Sequence, residues 1–113
     1  MHELALSQDI VEMLTRLAAR EGINTISRVV LEVGEISGVE PEALAFCFDA
    51  ATRSTPVQGA ELCIENIAVV GVCRGCAASF PCAGGLAPCP QCGAYGATII
   101  QGAELRLKEF EGE

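Results

Sequence analysis

Cys73-Arg74-Gly75-Cys76, then twelve residues, then Cys89-Pro90-Gln91-Cys92, is the stretch that decides how this chain folds. Two Cys-x-x-Cys pairs joined by a short loop can bring four thiolates to the corners of a tetrahedron, the arrangement Zn²⁺ takes in closed structural sites. Gly71, Gly75, Pro88, Pro90 and Gly93 suit the tight turns in which backbone N–H groups face sulfur. The pattern reads as a zinc ribbon or a rubredoxin-like knuckle pair, and iron fits the same four sulfurs. Cys82, inside the loop, reads as a spare thiol, with exchange into the metal shell as the alternative. Cys47 and Cys63 read as small core side chains. Two disulfides are disfavoured: residues 1–12 carry Glu3, Asp9 and Glu12 and no basic segment, unlike a secretory leader. A reducing cytoplasm is therefore expected, where such pairs bind metal.

Charge narrows the function. Fifteen acidic against seven basic side chains give a net charge of −8, which repels phosphate backbones. Between Gly71 and Gly102 the only charged side chain is Arg74, and Tyr95 is one possible stacking aromatic, so no nucleic-acid reader is expected. No apolar run is long enough for membrane insertion. With no Trp and only four Phe and one Tyr, the core must be mostly aliphatic.

Outward from the cysteines, the rest reads as an α/β body. Leu6, Ile10, Leu14 and Leu17, with Met13 alongside, recur at helical spacing over residues 3–21, and Gln8, Asp9, Glu12, Arg16 and Arg20 take the other face. Glu12 and Arg16 stand four apart in the favourable order, and Gly22 ends the helix. Over residues 27–36 the period becomes two, with Val29, Leu31 and Val33 on one face and Arg28, Val30, Glu32 and Gly34 on the other. Pro41 belongs at a first helical position, so a second helix is expected over 41–53, burying Leu44, Cys47 or Phe48, and Ala51. Residues 61–70 read as a second strand, parallel to the first through a right-handed crossover. Residues 98–100 are apolar, and 103–110 alternate as a last strand that rejoins the sheet.

The fold class expected is therefore α+β: two helices on a small three-stranded mixed sheet, residues 1–70 and 98–113, with a zinc-binding knuckle module inserted at 71–97. Metal binding adds on the order of 10 kcal/mol to the folding of such a module. Most of Glu32, Glu35, Glu40 and Glu42 read as a solvated acidic edge, with a face that attracts a metal cation or docks a partner as the alternative. One histidine, no nucleophile elbow and no phosphate loop leave no catalytic constellation, so no enzyme is expected.

The only histidine is His2. The Met1 α-amine with the His2 amide and imidazole can close adjacent chelate rings around one metal, and Glu3 can add a donor. Nitrogen-rich tetragonal sites favour Ni²⁺ or Cu²⁺. From these residues alone, a lone histidine near a terminus reads first as a chance occurrence. The other readings of the chain are a zinc-stapled interaction adaptor with an idle terminus, and a rubredoxin-like electron carrier.

Met1-His2-Glu3, the amphipathic helix, Leu31-Glu32-Val33-Gly34-Glu35-Ile36-Ser37-Gly38-Val39, Pro41-Glu42-Ala43-Leu44 and the paired Cys-x-x-Cys resemble the HypA/HybF family of hydrogenase maturation factors, over the whole chain. The resemblance implies a nickel metallochaperone, with nickel at Met1, His2 and Glu3 and structural zinc at Cys73, Cys76, Cys89 and Cys92. It also implies work beside a HypB-type nickel-handling GTPase, delivery of Ni²⁺ to the [NiFe]-hydrogenase large subunit, and leaves a homodimer open as an assembly. Ala77 departs from the family, which usually has Gly after the first Cys-x-x-Cys, and a slightly different knuckle turn is expected there.

Overall fold

The structure, a computed structural model, describes residues 2–113. Helix α1 spans Glu3–Glu21 and closes at Gly22, whose φ of 71° is left-handed. Ile23 N–H then reaches back to Ala18 O (2.8 Å), satisfying a carbonyl that the helix end leaves open. The buried stripe is rotated from the one apolar counting gives: Ser7, Ile10, Val11, Leu14 and Ala18 are buried, whereas Leu6, Met13 and Leu17 are only half-buried. Small residues carry the difference. Ser7 has no bulk to hold the neighbouring helix away, and its hydroxyl donates to Leu44 O (3.4 Å). The Glu12–Arg16 pair is not closed, although the spacing allows it.

Strand β1 (Ile26–Gly34) is the centre of a sheet in which β2 (Glu61–Ile67) and β6 (Leu105–Gly112) flank it. Val30, expected on the outer face, is as buried as Val29, Leu31 and Val33, because a central strand here is covered on both sides. Arg28 faces Glu61 near the start of both strands (3.6 Å), and Glu35 N–H donates to Ile67 O at their ends (2.8 Å). The two strands thus run in the same direction, as the crossover predicts. Against β6 the direction is reversed: Thr25 and Glu113 exchange backbone bonds (3.0 and 2.9 Å), and Gly34 N–H donates to Glu104 O (2.7 Å). The sheet is mixed.

Helix α2 (Pro41–Ala51) begins with Pro41 in its first turn and Glu40 at its N-cap, whose carboxylate accepts from Glu42 N–H (3.1 Å). It packs on α1 and buries Leu44 and Phe48, while Cys47 and Ala51 are half-buried. It stops short of Arg53, with Thr52 as its C-cap and Thr52 Oγ1 donating to Asp49 O (2.8 Å) in the last turn.

The chain divides into two compact units, one comprising the chain up to Leu31, Val39–Glu65 and Arg106–Glu113, the other Glu32–Gly38 and Asn66–Leu105. The second unit has its own antiparallel sheet: β3 (Val70–Val72) lies between β4 (Ser79–Pro81) and β5 (Thr98–Gln101). A short 3₁₀ turn, Ala83–Gly85, follows β4.

The strand expected over 61–70 is therefore two strands in two sheets. Val69 marks the break: its N–H donates to Glu35 Oε2 (3.3 Å), its carbonyl accepts from Cys82 (2.9 Å), and its side chain is 1% exposed. Glu35 also accepts from Gly84 N–H through Oε1 (3.1 Å). Glu35 and Glu40 are thus backbone acceptors rather than members of a merely solvated edge. Among the described residues no helix is long and apolar enough to cross a membrane.

Candidate metal centre

The two knuckles are built alike. Cys73 N–H donates to Ala78 O (2.8 Å) and Ala77 N–H to Cys73 O (3.0 Å); at the second pair, Cys89 N–H donates to Ala94 O (2.9 Å) and Gly93 N–H to Cys89 O (2.8 Å). Each turn needs a left-handed residue just after its second cysteine, and these are Ala77 (φ 63°) and Gly93 (φ 77°). The different turn expected at Ala77 is not found. The hydrogen-bond pattern imposes the same backbone, and alanine bears the steric cost, about 1–2 kcal/mol for an L-residue with a Cβ in that region. Exposed Ala77 has no packing role to offset it. Ala77→Gly should therefore raise the stability of the metal-loaded protein by about 1 kcal/mol in thermal unfolding, after allowing for the looser unfolded chain.

These turns bring Cys73, Cys76, Cys89 and Cys92 together, with all four sulfurs within 4.8 Å of one another. Cys73 Sγ lies 3.4 Å from Cys92 Sγ, and Cys76 Sγ 3.6 Å from Cys89 Sγ. A tetrahedral ion with M–S bonds of about 2.3 Å requires sulfurs about 3.8 Å apart, so the donor set fits Zn²⁺ in number, type and spacing. Cys73 and Cys89 are buried and Cys76 and Cys92 exposed. Arg74 Nε donates to Thr98 Oγ1 (3.3 Å), tying the first knuckle to β5.

The backbone polarises the four thiols unequally. Cys73 is lowered to about 6, first by the amides of Cys76 and Gly75, which point at its sulfur (3.5 and 3.3 Å), and then by Cys92. Cys89 is lowered in the same way, chiefly by the Cys92 amide and also by that of Gln91. At Cys92 the Ala94 amide favours the thiolate, but Cys73, desolvation, Cys89 and Cys76 together outweigh it and push the thiol up to about 11. Cys76 is raised likewise, the pull of the Ala78 amide being exceeded by Cys89, Cys73 and desolvation.

The first cysteine of each pair is thus the ready thiolate, and the second surrenders its proton only to a cation. Apparent metal affinity should rise with pH between about 6 and 9, by at least roughly 100-fold per unit since both Cys76 and Cys92 must ionise, and fall more steeply below 6, where Cys73 also takes a proton. Chelator competition at several pH values measures that slope.

Cys82 lies outside this group. It is 1% exposed in the unit's core with Val69, Phe80, Cys73 and Cys89, its sulfur 3.5 Å from Ala87 O. Cys47 and Cys63 are half-buried and also apart from it.

At the other predicted site, Met1 lies outside the described residues. His2 is exposed at the N-cap of α1 and makes no side-chain cap, and its carbonyl accepts from Leu6 N–H (3.0 Å). Glu3 Oε2 accepts from Glu40 N–H (3.3 Å), and this amide is the main reason the carboxyl is held below its ordinary range. The capping role of Glu3 was not legible in the sequence, since 37 residues separate the partners.

Fold and centre together define an α+β protein with a zinc-ribbon-like four-thiolate site. A family model described as "Hydrogenase/urease nickel incorporation, metallochaperone, hypA" matches residues 1–112. The chain is 48% identical to the hydrogenase maturation factor HypA of Geobacter sulfurreducens and 44% to that of Geotalea uraniireducens, in each case over 113 residues and the full length of both chains. It also matches the solution structure of the Ni metallochaperone HypA from Helicobacter pylori, with TM-score 0.73 and 27% identity, over 99% of this chain and 97% of that one. A second HypA solution structure gives TM-score 0.77 at 26% identity, over 100% and 97%. The chain belongs to the HypA family of nickel-incorporation metallochaperones for hydrogenase maturation.

Proposed function

We propose that this chain carries Ni²⁺ at its amino terminus and holds Zn²⁺ permanently in the thiolate cage. In this reading Met1 supplies the α-amine, His2 its amide and imidazole nitrogens, and Glu3 a further donor. Cys73, Cys76, Cys89 and Cys92 hold zinc, which fixes the backbone of the second unit. Residues 1–70 with 98–113 act as the nickel-binding part and 71–97 as the zinc-binding part.

The observation that carries the nickel assignment is where His2 sits. An N-cap residue and the first residues of a helix have N–H groups with no intrahelical acceptor, so the amides of His2 and Glu3 can be deprotonated for a metal without breaking α1. The imidazole is exposed beside them. The positive end of the helix dipole opposes a cation there, and the Glu3 carboxylate offsets it. The four-sulfur cage, by contrast, is closed and amide-supported, which suits retention. Amine and amide donors must lose protons to bind, so acidification releases nickel, and the exposed site exchanges it quickly. Handover would proceed with a HypB-type GTPase, which supplies the nucleotide chemistry, to the [NiFe]-hydrogenase large subunit.

Titrating Ni²⁺ into untagged protein, into His2→Ala and into protein with one residue added before Met1 tests this. Both variants should bind more than roughly 100-fold more weakly, since even outer-shell losses at metal sites cost 10- to 100-fold. Equal uptake by all three would overturn the terminal site and leave a zinc-stapled adaptor. Colour tests the cage: zinc-loaded protein is colourless, iron-loaded protein red.

A further inference from the structure

We propose that the face of α1 formed by Met13, Arg16, Leu17 and Arg20 is a docking groove for an acidic amphipathic segment of a partner protein. These four residues line an open cavity of ≈ 390 Å³. Met13 and Leu17 stand one turn apart, half-buried, as an apolar floor, and Arg16 and Arg20 stand one turn apart, exposed, as its rim. Apolar counting expects Met13 and Leu17 to be core, yet the packed stripe of α1 passes through Ser7, Val11, Leu14 and Ala18 instead.

Charge identifies the occupant. The chain has seven basic side chains against fifteen acidic ones. Arg28 is matched by Glu61 and Glu111, and Lys108 by Glu65. Among the described residues neither Arg16 nor Arg20 has an ion pair, and Glu12, four residues before Arg16, leaves it unpaired. Two adjacent free guanidiniums on an acidic protein select carboxylates, and the floor between them selects aliphatic side chains. A polyanionic backbone meets the net charge of −8 and gains nothing from the floor. A second copy docked across a two-fold axis would set the same arginines against each other.

The probe is a fluorescent helical peptide with leucines at i and i+4 flanked by glutamates, tested beside versions with lysine for glutamate and with serine for leucine. Binding to metal-loaded protein is followed by polarisation and by amide chemical shifts. The Leu/Glu peptide should bind at least tenfold tighter than either control, with shifts centred on residues 13–20. R16E/R20E should lose that tenfold and transfer it to the lysine peptide, whereas Arg53→Glu should change neither.

Nickel uptake by R16E/R20E should equal that of the unaltered chain, which separates this surface from the terminal metal site. Equal binding of the glutamate and lysine peptides, no saturable binding, shifts centred elsewhere, or a lost nickel site in R16E/R20E would each overturn the proposal. So would sedimentation showing a dimer of the unaltered chain that R16E/R20E abolishes, since that would make a second copy the occupant.

Discussion

Cys89→Ser is expected to weaken metal binding about 100- to 1,000-fold and to loosen the whole of Asn66–Leu105. A structural four-ligand zinc site is worth about 10–16 kcal/mol, so one ligand carries about 3–4 kcal/mol, and each 1.4 kcal/mol is tenfold. The effect spreads because Cys89 is 2% exposed and belongs to the small core built from Val69, Cys73, Phe80 and Cys82. That core has little else to hold it, since its strands β3, β4 and β5 are 3, 3 and 4 residues long. Chelator competition reads the affinity, and amide exchange reads the loosening, which should spare α1 and α2. Cys82→Ala separates coordination from packing: it should lower stability but leave affinity little changed. A matching loss of affinity would mean that Cys82 enters the metal shell.

Gly34→Ala should be strongly destabilising, at about 3 kcal/mol or more. A Cβ on Gly34 would lie 2.2 Å from Gly102 O and 2.3 Å from Gly102 C, with Ala103 N at 2.7 Å, and all three are backbone atoms that no rotamer change can clear. Gly102 is in turn pressed on Val69, where its own Cβ would stand 2.6 Å from Val69 Cα, and its φ of 103° already excludes ordinary residues. The control is Gly22→Ala. That position is left-handed (φ 71°), which Gly34 is not, but has nothing within 4 Å, so it should cost only the conformational term of about 1–2 kcal/mol. Denaturant unfolding of both variants measures the gap. Equal losses would show that the backbones at Gly34 and Gly102 move apart at little cost, and that their close approach is not what requires glycine there.

The residues explain which features could be read in advance. Cap chemistry placed the helices: Gly22 ends α1, and Glu40 with Pro41 starts α2, because these signals act within a turn of their own position. The strand period placed β1, β2 and β6 to within a few residues. Spacing alone grouped four of the seven cysteines, since a two-residue gap fixes a knuckle whatever surrounds it. Features that depend on a distant partner were not readable. The buried stripe of α1 turned on Ser7 meeting Leu44, the sheet change at Val69 on Glu35 and Cys82, and the role of Glu3 on the Glu40 amide. The turn at Ala77 was misjudged because its hydrogen bonds, not its side chain, set its backbone.

By itself, the sequence determined the helices, most strands, the sulfur donors and the family, all of which rest on short-range spacing or on motifs in fixed order. Only the tertiary structure decided that the unit holding the cysteines takes in Glu32–Gly38 and residues 66–70 and 98–105 as well. It alone showed that glycines 34 and 102 let backbones touch there, and that an arginine-rimmed groove remains on α1. The reason is physical: caps and knuckles are satisfied by neighbours in the chain, whereas close approach, burial and leftover charge depend on which remote segments the fold brings together.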